Sequence, residues 1–147
     1  MTGCFSCANN GLEDPPPREA IIANGAWRVA HAFNSALPGW LVLIPTRHVT
    51  SLDELEGDEL LPLGPLLQRL TAALRTVTGC TKTYAVLFAE AEGFEHLHIH
   101  LVPRMPDFTD DQKGPGVFWF LTRPEAERLS EADRDDVATR VRAALDG

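Results

Sequence analysis

The chain has 147 residues, a net charge of −8, and hydrophobic and charged fractions of 44% and 23%, the balance of a globular domain large enough to bury a core without disulfide staples. Its acidity is concentrated in Asp53, Glu54, Glu56, Asp58 and Glu59 of "SLDELEGDEL" and disfavours a long polyanion, so no nucleic-acid partner is expected. No apolar run is long enough to span a bilayer and "MTGCFSCANN" carries no basic, apolar leader; the expectation is one domain over residues 1–147, cytoplasmic, with no membrane partner.

Cys4 and Cys7 open the chain as a C-x-x-C pair. Half of a metal site ranks first, ahead of two incidental thiols. A redox pair ranks last, because it needs a strand-to-helix turn and the segment "ANNGLEDPPPRE" that follows is loop-like. With three cysteines and no export signal, a disulfide framework is not expected, and Cys80 reads as a small buried side chain. "AIIAN" and "AWRVAHAF" predict a hairpin turning at Asn24 and Gly25, in which His31 is a structural histidine. "WLVLIP" predicts a central strand that stops at Pro45. A short helical turn follows at Asp53 to Leu55. From Asp58, Leu60, Leu63, Leu67, Leu70, Leu74 and Val77 step by three and four, predicting one helix that ends at Gly79 and carries Pro62 and Pro65 in its first turns. "KTYAVLFA" and "HLHIHLVP" are the last strands, and Ser130 with Asp133 caps a helix running to about Ala144. Strands, long helix, strands and terminal helix make an α+β fold: a mostly antiparallel sheet flanked by a long central helix and a C-terminal helix.

The densest chemical signal is "EHLHIHLVPR". At strand period two, His96, His98 and His100 share one face while Leu97, Ile99 and Leu101 share the other. Neighbouring imidazoles on that face lie roughly 6.5 to 7 Å apart at the strand rise, close enough to meet one ligand. Such a row can bind a catalytic metal through three rings, or it can divide the labour between a nucleophile and a proton donor that also binds phosphate.

"HLHIHLV" resembles the His-x-His-x-His-x-x signature, x apolar, of the histidine triad (HIT) superfamily of nucleotide hydrolases and transferases. "CFSC" is similar to the N-terminal C-x-x-C of many bacterial members, "PGWLVLIPTRH" to their strand and basic-histidine segment, and the closing Pro-Arg is shared. The resemblance implies a sheet flanked by helices, commonly a homodimer. It also implies attack of the middle histidine on the α-phosphate of a nucleotide, giving a nucleotidyl-histidine intermediate.

Carried onto this chain, the resemblance makes His98 the nucleophile and His100 its phosphate-binding and proton-transfer partner. It assigns a structural zinc to Cys4, Cys7, His48 and His96. The expected substrate is a small nucleotide, purine before pyrimidine, cleaved at a phosphoanhydride or phosphoramidate. A catalytically weak nucleotide-binding module and a three-histidine metalloenzyme are the alternatives. The chain departs from the family pattern at Trp40, where many members have a fourth histidine. "EGFE" replaces a polar Gln-Ser or Gln-Thr pair before the triad, and "VLFAEAEGF" lacks the usual asparagine. Glu92 or Glu90 is the candidate for part of that role, Asn34 for a ribose contact and Arg104 for phosphate neutralisation.

Overall fold

The computed structural model describes residues 3–147. Its sheet has five strands, β1 (Ile22–Asn24), β2 (Trp27–His31), β3 (Leu41–Pro45), β4 (Lys82–Val86) and β5 (Ile99–Arg104), in the order β1-β2-β3-β5-β4. Every neighbouring pair is antiparallel. Four helices accompany them: α1 (Phe5–Asn10), α2 (Gly57–Leu60), α3 (Leu63–Thr78) and α4 (Glu131–Asp146). This is the expected α+β architecture, and no helix among the described residues is long and apolar enough to cross a membrane.

Strand alternation sends the two faces of the sheet to different neighbours. Trp27, Val29, Leu41, Leu43, Ile99 and Leu101 pack with Leu66, Leu70, Ala73 and Leu74 of α3 and Val137, Ala138 and Val141 of α4 in the main core. Arg28, Ala30, Val42, Ile44 and His100 belong to the other face. There the ladder sets Ala30 against Val42, and Val42 against His100.

Several boundaries differ from the sequence reading. The first hairpin pairs Asn24 with Trp27, so its two-residue loop is Gly25–Ala26, one position later than expected. Gly25 has φ 79°, which suits a glycine-first hairpin turn. The long helix is two helices. Pro62 occupies the N-cap of α3, Leu60 is 51% exposed, and Leu66 and Ala73 join the buried stripe instead. Proline lacks the N–H that a continuous helix needs, so the chain breaks and restarts there. The stop at Gly79 is as expected: its φ is 74° and its N–H donates to the Arg75 carbonyl. Ser130 likewise caps α4, its Oγ accepting from the Asp133 N–H at 3.1 Å.

The last two strands are shorter than "KTYAVLFA" and "HLHIHLVP" suggest. β4 ends at Val86, whose ladder partner is His100, and three residues later Ala89 takes φ 54°, a left-handed conformation that breaks a strand. β5 begins only at Ile99, leaving His96 and His98 outside the ladder. The cause lies in β3, which ends at Pro45. Proline has no N–H to offer a neighbouring strand, and its carbonyl accepts from the His96 ring at 2.8 Å. The alternation survives even so, since Leu97, Ile99 and Leu101 are all buried in the main core.

Candidate metal centre and active site

The short helix α1 begins directly after Cys4, whose Sγ accepts the Cys7 N–H at 3.3 Å. This turn aims both thiols at the end of the sheet. Cys4 Sγ lies 3.5 Å from Nδ1 of His48 and of His96, Cys7 Sγ lies 3.3 and 3.5 Å from the same atoms, and the two Nδ1 atoms are 3.1 Å apart. All four donor atoms fall within 4.8 Å of one another. These spacings match the edges of a tetrahedron with metal–sulfur distances of about 2.3 Å and metal–nitrogen distances of about 2.0–2.1 Å.

The second ring nitrogen of His96 supports the same assignment. Its Nε2–H donates to the Pro45 carbonyl at 2.8 Å, so in the neutral ring Nδ1 carries the lone pair. Burial keeps that ring neutral by pushing its pKa down. The four residues therefore fit a closed metal site with two sulfur and two nitrogen donors, the chemistry that zinc prefers. The expected ligand set is brought together in full, from the N-terminal turn, the end of β3 and the approach to β5.

Beyond His96, the row faces a cavity of about 430 Å³, within the usual size range of small-molecule sites. Val42 and Ile44 lie beneath it, with His98 and His100 on one side and Arg28, Ala30 and Ala32 on the other. One wall is aromatic. Phe5 and Phe33 rings are 4.9 Å apart, and Phe94 lies 5.4 Å from Phe5 and 6.0 Å from Phe33. Such a wall suits a flat, polarisable ring system.

His98 and His100 differ in which nitrogen is engaged. His98 Nδ1 lies 2.8 Å from the His96 carbonyl. A carbonyl only accepts, so Nδ1 holds the proton and the neutral ring keeps its lone pair on Nε2. His100 is reversed: its Nδ1 accepts from the Trp40 indole N–H at 3.0 Å, leaving the proton on Nε2. The two rings stand edge to face with centroids 4.9 Å apart. Burial, reinforced by the neighbouring His98, lowers the His100 pKa to about 4.

The other sequence candidates are placed unevenly. Asn34 lines the cavity, and so does Glu90. Glu92 and Arg104 do not line it. Glu92 is exposed beside Gly93, whose φ is 83°, at a turn. Arg104 closes β5 at the far end from His98, its Nη1 3.5 Å from Thr81 Oγ1. His31 is structural, as expected: its Nδ1–H donates to the Ala32 carbonyl and its Nε2 accepts from the Gly39 N–H, both at 3.0 Å. Sequence reasoning missed the aromatic wall and Arg28. Arg28 is almost fully buried beside the cavity and bound to Asn10 Oδ1 at 2.7 Å and Glu19 Oε2 at 3.0 Å. Nothing in their local spacing marks those residues, which come from three separated segments.

The family model for the HIT domain matches residues 16–107. The chain belongs to the HIT family. Solved structures with the same fold include a zinc-bound histidine triad family protein from Mycobacterium smegmatis, with a TM-score of 0.70 and 20% identity over 97% of this chain and 93% of that one. A hypothetical histidine triad nucleotide-binding protein from Sulfolobus tokodaii gives a TM-score of 0.73 and 15% identity over 97% of this chain and 92% of that one. A uridylyltransferase gives 0.66 and 21%, covering 97% of this chain but 45% of its own. No curated protein matches the sequence. Within the HIT family the chain fits the C-x-x-C type, with Cys4, Cys7, His48 and His96 grouped so that they could hold a metal ion.

Proposed function

We propose that this HIT protein is a nucleotide hydrolase or nucleotidyltransferase that cleaves at the α-phosphate, with His98 as the nucleophile. The observation that carries the reading is the His98 ring itself. Its Nδ1–H is committed to the His96 carbonyl, and its Nε2 has no hydrogen-bond partner among the described residues. It therefore presents a lone pair at a cavity that also offers His100 and the aromatic wall. A neutral imidazole held in one tautomer is a competent nucleophile near pH 7. The phenylalanines suit a nucleobase, and Asn34 at the cavity rim suits a ribose hydroxyl.

Zinc at Cys4, Cys7, His48 and His96 is structural in this reading. The four protein donors fill a tetrahedron and leave no position for substrate or water. The metal ties the N-terminal turn to the sheet and thereby places Phe5 in the cavity wall. A three-histidine metalloenzyme is disfavoured because His96 Nδ1 is directed at the cysteines, while His98 and His100 engage different partners.

His98→Ala tests the assignment. Turnover of nucleotide substrates should fall to background with nucleotide affinity and metal content retained, since the change removes a bond made only in the reaction. Wild-type protein that binds nucleotide without turning over any dinucleoside polyphosphate, nucleotide sugar or phosphoramidate would instead be a binding module.

A further inference from the structure

His100 and Trp40 carry a consequence for which bonds the protein can break. The indole N–H is a donor with no acceptor capacity. While it stays 3.0 Å from His100 Nδ1, that nitrogen cannot take a proton. Trp40 is fully buried, so breaking the contact would leave a buried N–H unpaired. Around the His100 ring stand Trp40 at 5.7 Å and Phe118 at 5.5 Å between centroids, with Val42 and Val86 as its ladder neighbours. The one titratable group against it is His98, which disfavours a second positive charge. Among the described residues no carboxylate hydrogen-bonds to His100, although Glu19 and Glu90 line the same cavity.

We propose that Trp40 holds His100 as a neutral Nε2–H donor, which binds a phosphoryl oxygen without giving up its proton, so that the enzyme cleaves phosphoanhydrides rather than phosphoramidates. Trp40 is thus a positioning residue, acting through His100. The proposal rests on the reading of His98 as nucleophile.

The chemistry follows from where protons are available. In the first step the His98 Nε2 lone pair forms a bond to the α-phosphorus, the bridging P–O bond breaks, and its electron pair leaves on the departing phosphate oxygen. Such an oxygen is stable as an anion near neutral pH, because phosphate monoesters lose their second proton at a pKa of about 6. No acid is needed, and His100 contributes only its N–H to the developing charge. In the second step water adds to phosphorus, the P–N bond breaks, its electron pair returns to His98 Nε2, and the water proton passes to solvent.

A phosphoramidate differs at the leaving group. An alkylamine, whose conjugate acid has a pKa near that of lysine at about 10.4, cannot leave as an anion and must be protonated as the P–N bond breaks. A neutral imidazole held by Trp40 cannot supply that proton without becoming an imidazolate.

Two wild-type measurements and two variants test this. Nitrogen-15 NMR of the histidine rings should show His100 protonated on Nε2 and not on Nδ1 at neutral pH. Diadenosine polyphosphate should be turned over with a kcat/KM about 10²- to 10⁴-fold above that for an adenosine phosphoramidate, the usual worth of a missing general acid. Trp40→Phe removes the donor that blocks Nδ1, so that nitrogen can take a proton and the preference should shift towards the phosphoramidate, with burial and His98 still opposing full protonation. Trp40→His should shift it in the same direction while keeping a ring nitrogen at that position. A wild-type His100 protonated on Nδ1, or equal turnover of both substrates abolished by His98→Ala, would overturn the proposal and leave the His98 reading intact. Turnover of neither substrate, with the NMR as expected, would overturn the enzymatic reading and the leaving-group preference with it.

Discussion

His96 and His100 stand at the two ends of one row and are wired in opposite senses. His96 gives its Nε2–H to the Pro45 carbonyl and turns Nδ1 to the cysteines, whereas His100 accepts the Trp40 N–H on Nδ1 and keeps its proton on Nε2. Between them His98 gives its Nδ1–H to a backbone carbonyl and keeps an unshared pair. Three identical side chains therefore present a lone pair to the cysteines, a lone pair to the cavity and an N–H donor. The neighbour that occupies one ring nitrogen decides the chemistry of the other.

The metal end should be the more sensitive to disruption of the fold. Cys4→Ser combined with Cys7→Ser should abolish metal binding and lower stability by about 3 kcal/mol or more, roughly 10 °C in Tm for a chain of this size. Elemental analysis and thermal unfolding read both effects. Any loss of activity should follow the loss of structure with temperature, as a structural site requires. Metal retained in full by the double variant would break the contrast between the two ends.

The cavity end should respond in rate rather than stability. His100→Ala should slow turnover by about 10²- to 10³-fold, the usual effect of losing one hydrogen-bond donor to a developing oxyanion. Steady-state kinetics with metal content and Tm measured alongside check this. An equal fall in Tm would make His100 a packing residue instead.

His31, on the core side of the sheet, sharpens the contrast through pH. Burial lowers its pKa from 6.5 to about 4, so the unfolded chain takes up the proton first. Its contribution is complete above about pH 6.5 and is lost as pH falls towards 4, amounting to about 3 kcal/mol. Urea unfolding of wild type and His31→Gln across that window should show a shallower decline in the variant. Gly39 makes the arrangement possible, because its N–H meets His31 Nε2 at φ 90° and an added Cβ would lie 2.8 Å from Thr78 Cγ2.

Much of this was legible in the sequence where periodicity and chemistry agree. Leu97, Ile99 and Leu101 mark the buried face, Gly79 and Ser130 mark helix ends, and the family resemblance alone groups Cys4, Cys7, His48 and His96. The illegible parts depend on contacts between distant segments. Glu59 reads only as one member of an acidic cluster, yet it is buried and paired in two-pronged fashion with Arg47, Nη2 to Oε1 at 2.7 Å and Nε to Oε2 at 3.1 Å. Phe5, Phe33 and Phe94 are single aromatics in unrelated stretches, and only the fold brings them into one wall. Trp40 was visible as a departure from the family pattern, but its role depends on the ring nitrogen it meets.

The division of the row is tested most directly by one experiment on wild type and His98→Ala. Each is quenched in alkali during turnover, the peptide containing His98 is weighed, and metal is quantified in the same preparations. Wild type should show the added mass of one nucleoside monophosphate on that peptide, while His98→Ala shows no adduct and the same metal content. Loss of metal from His98→Ala, or an adduct that persists without His98, would contradict the assignment of His96 to the metal and His98 to phosphorus.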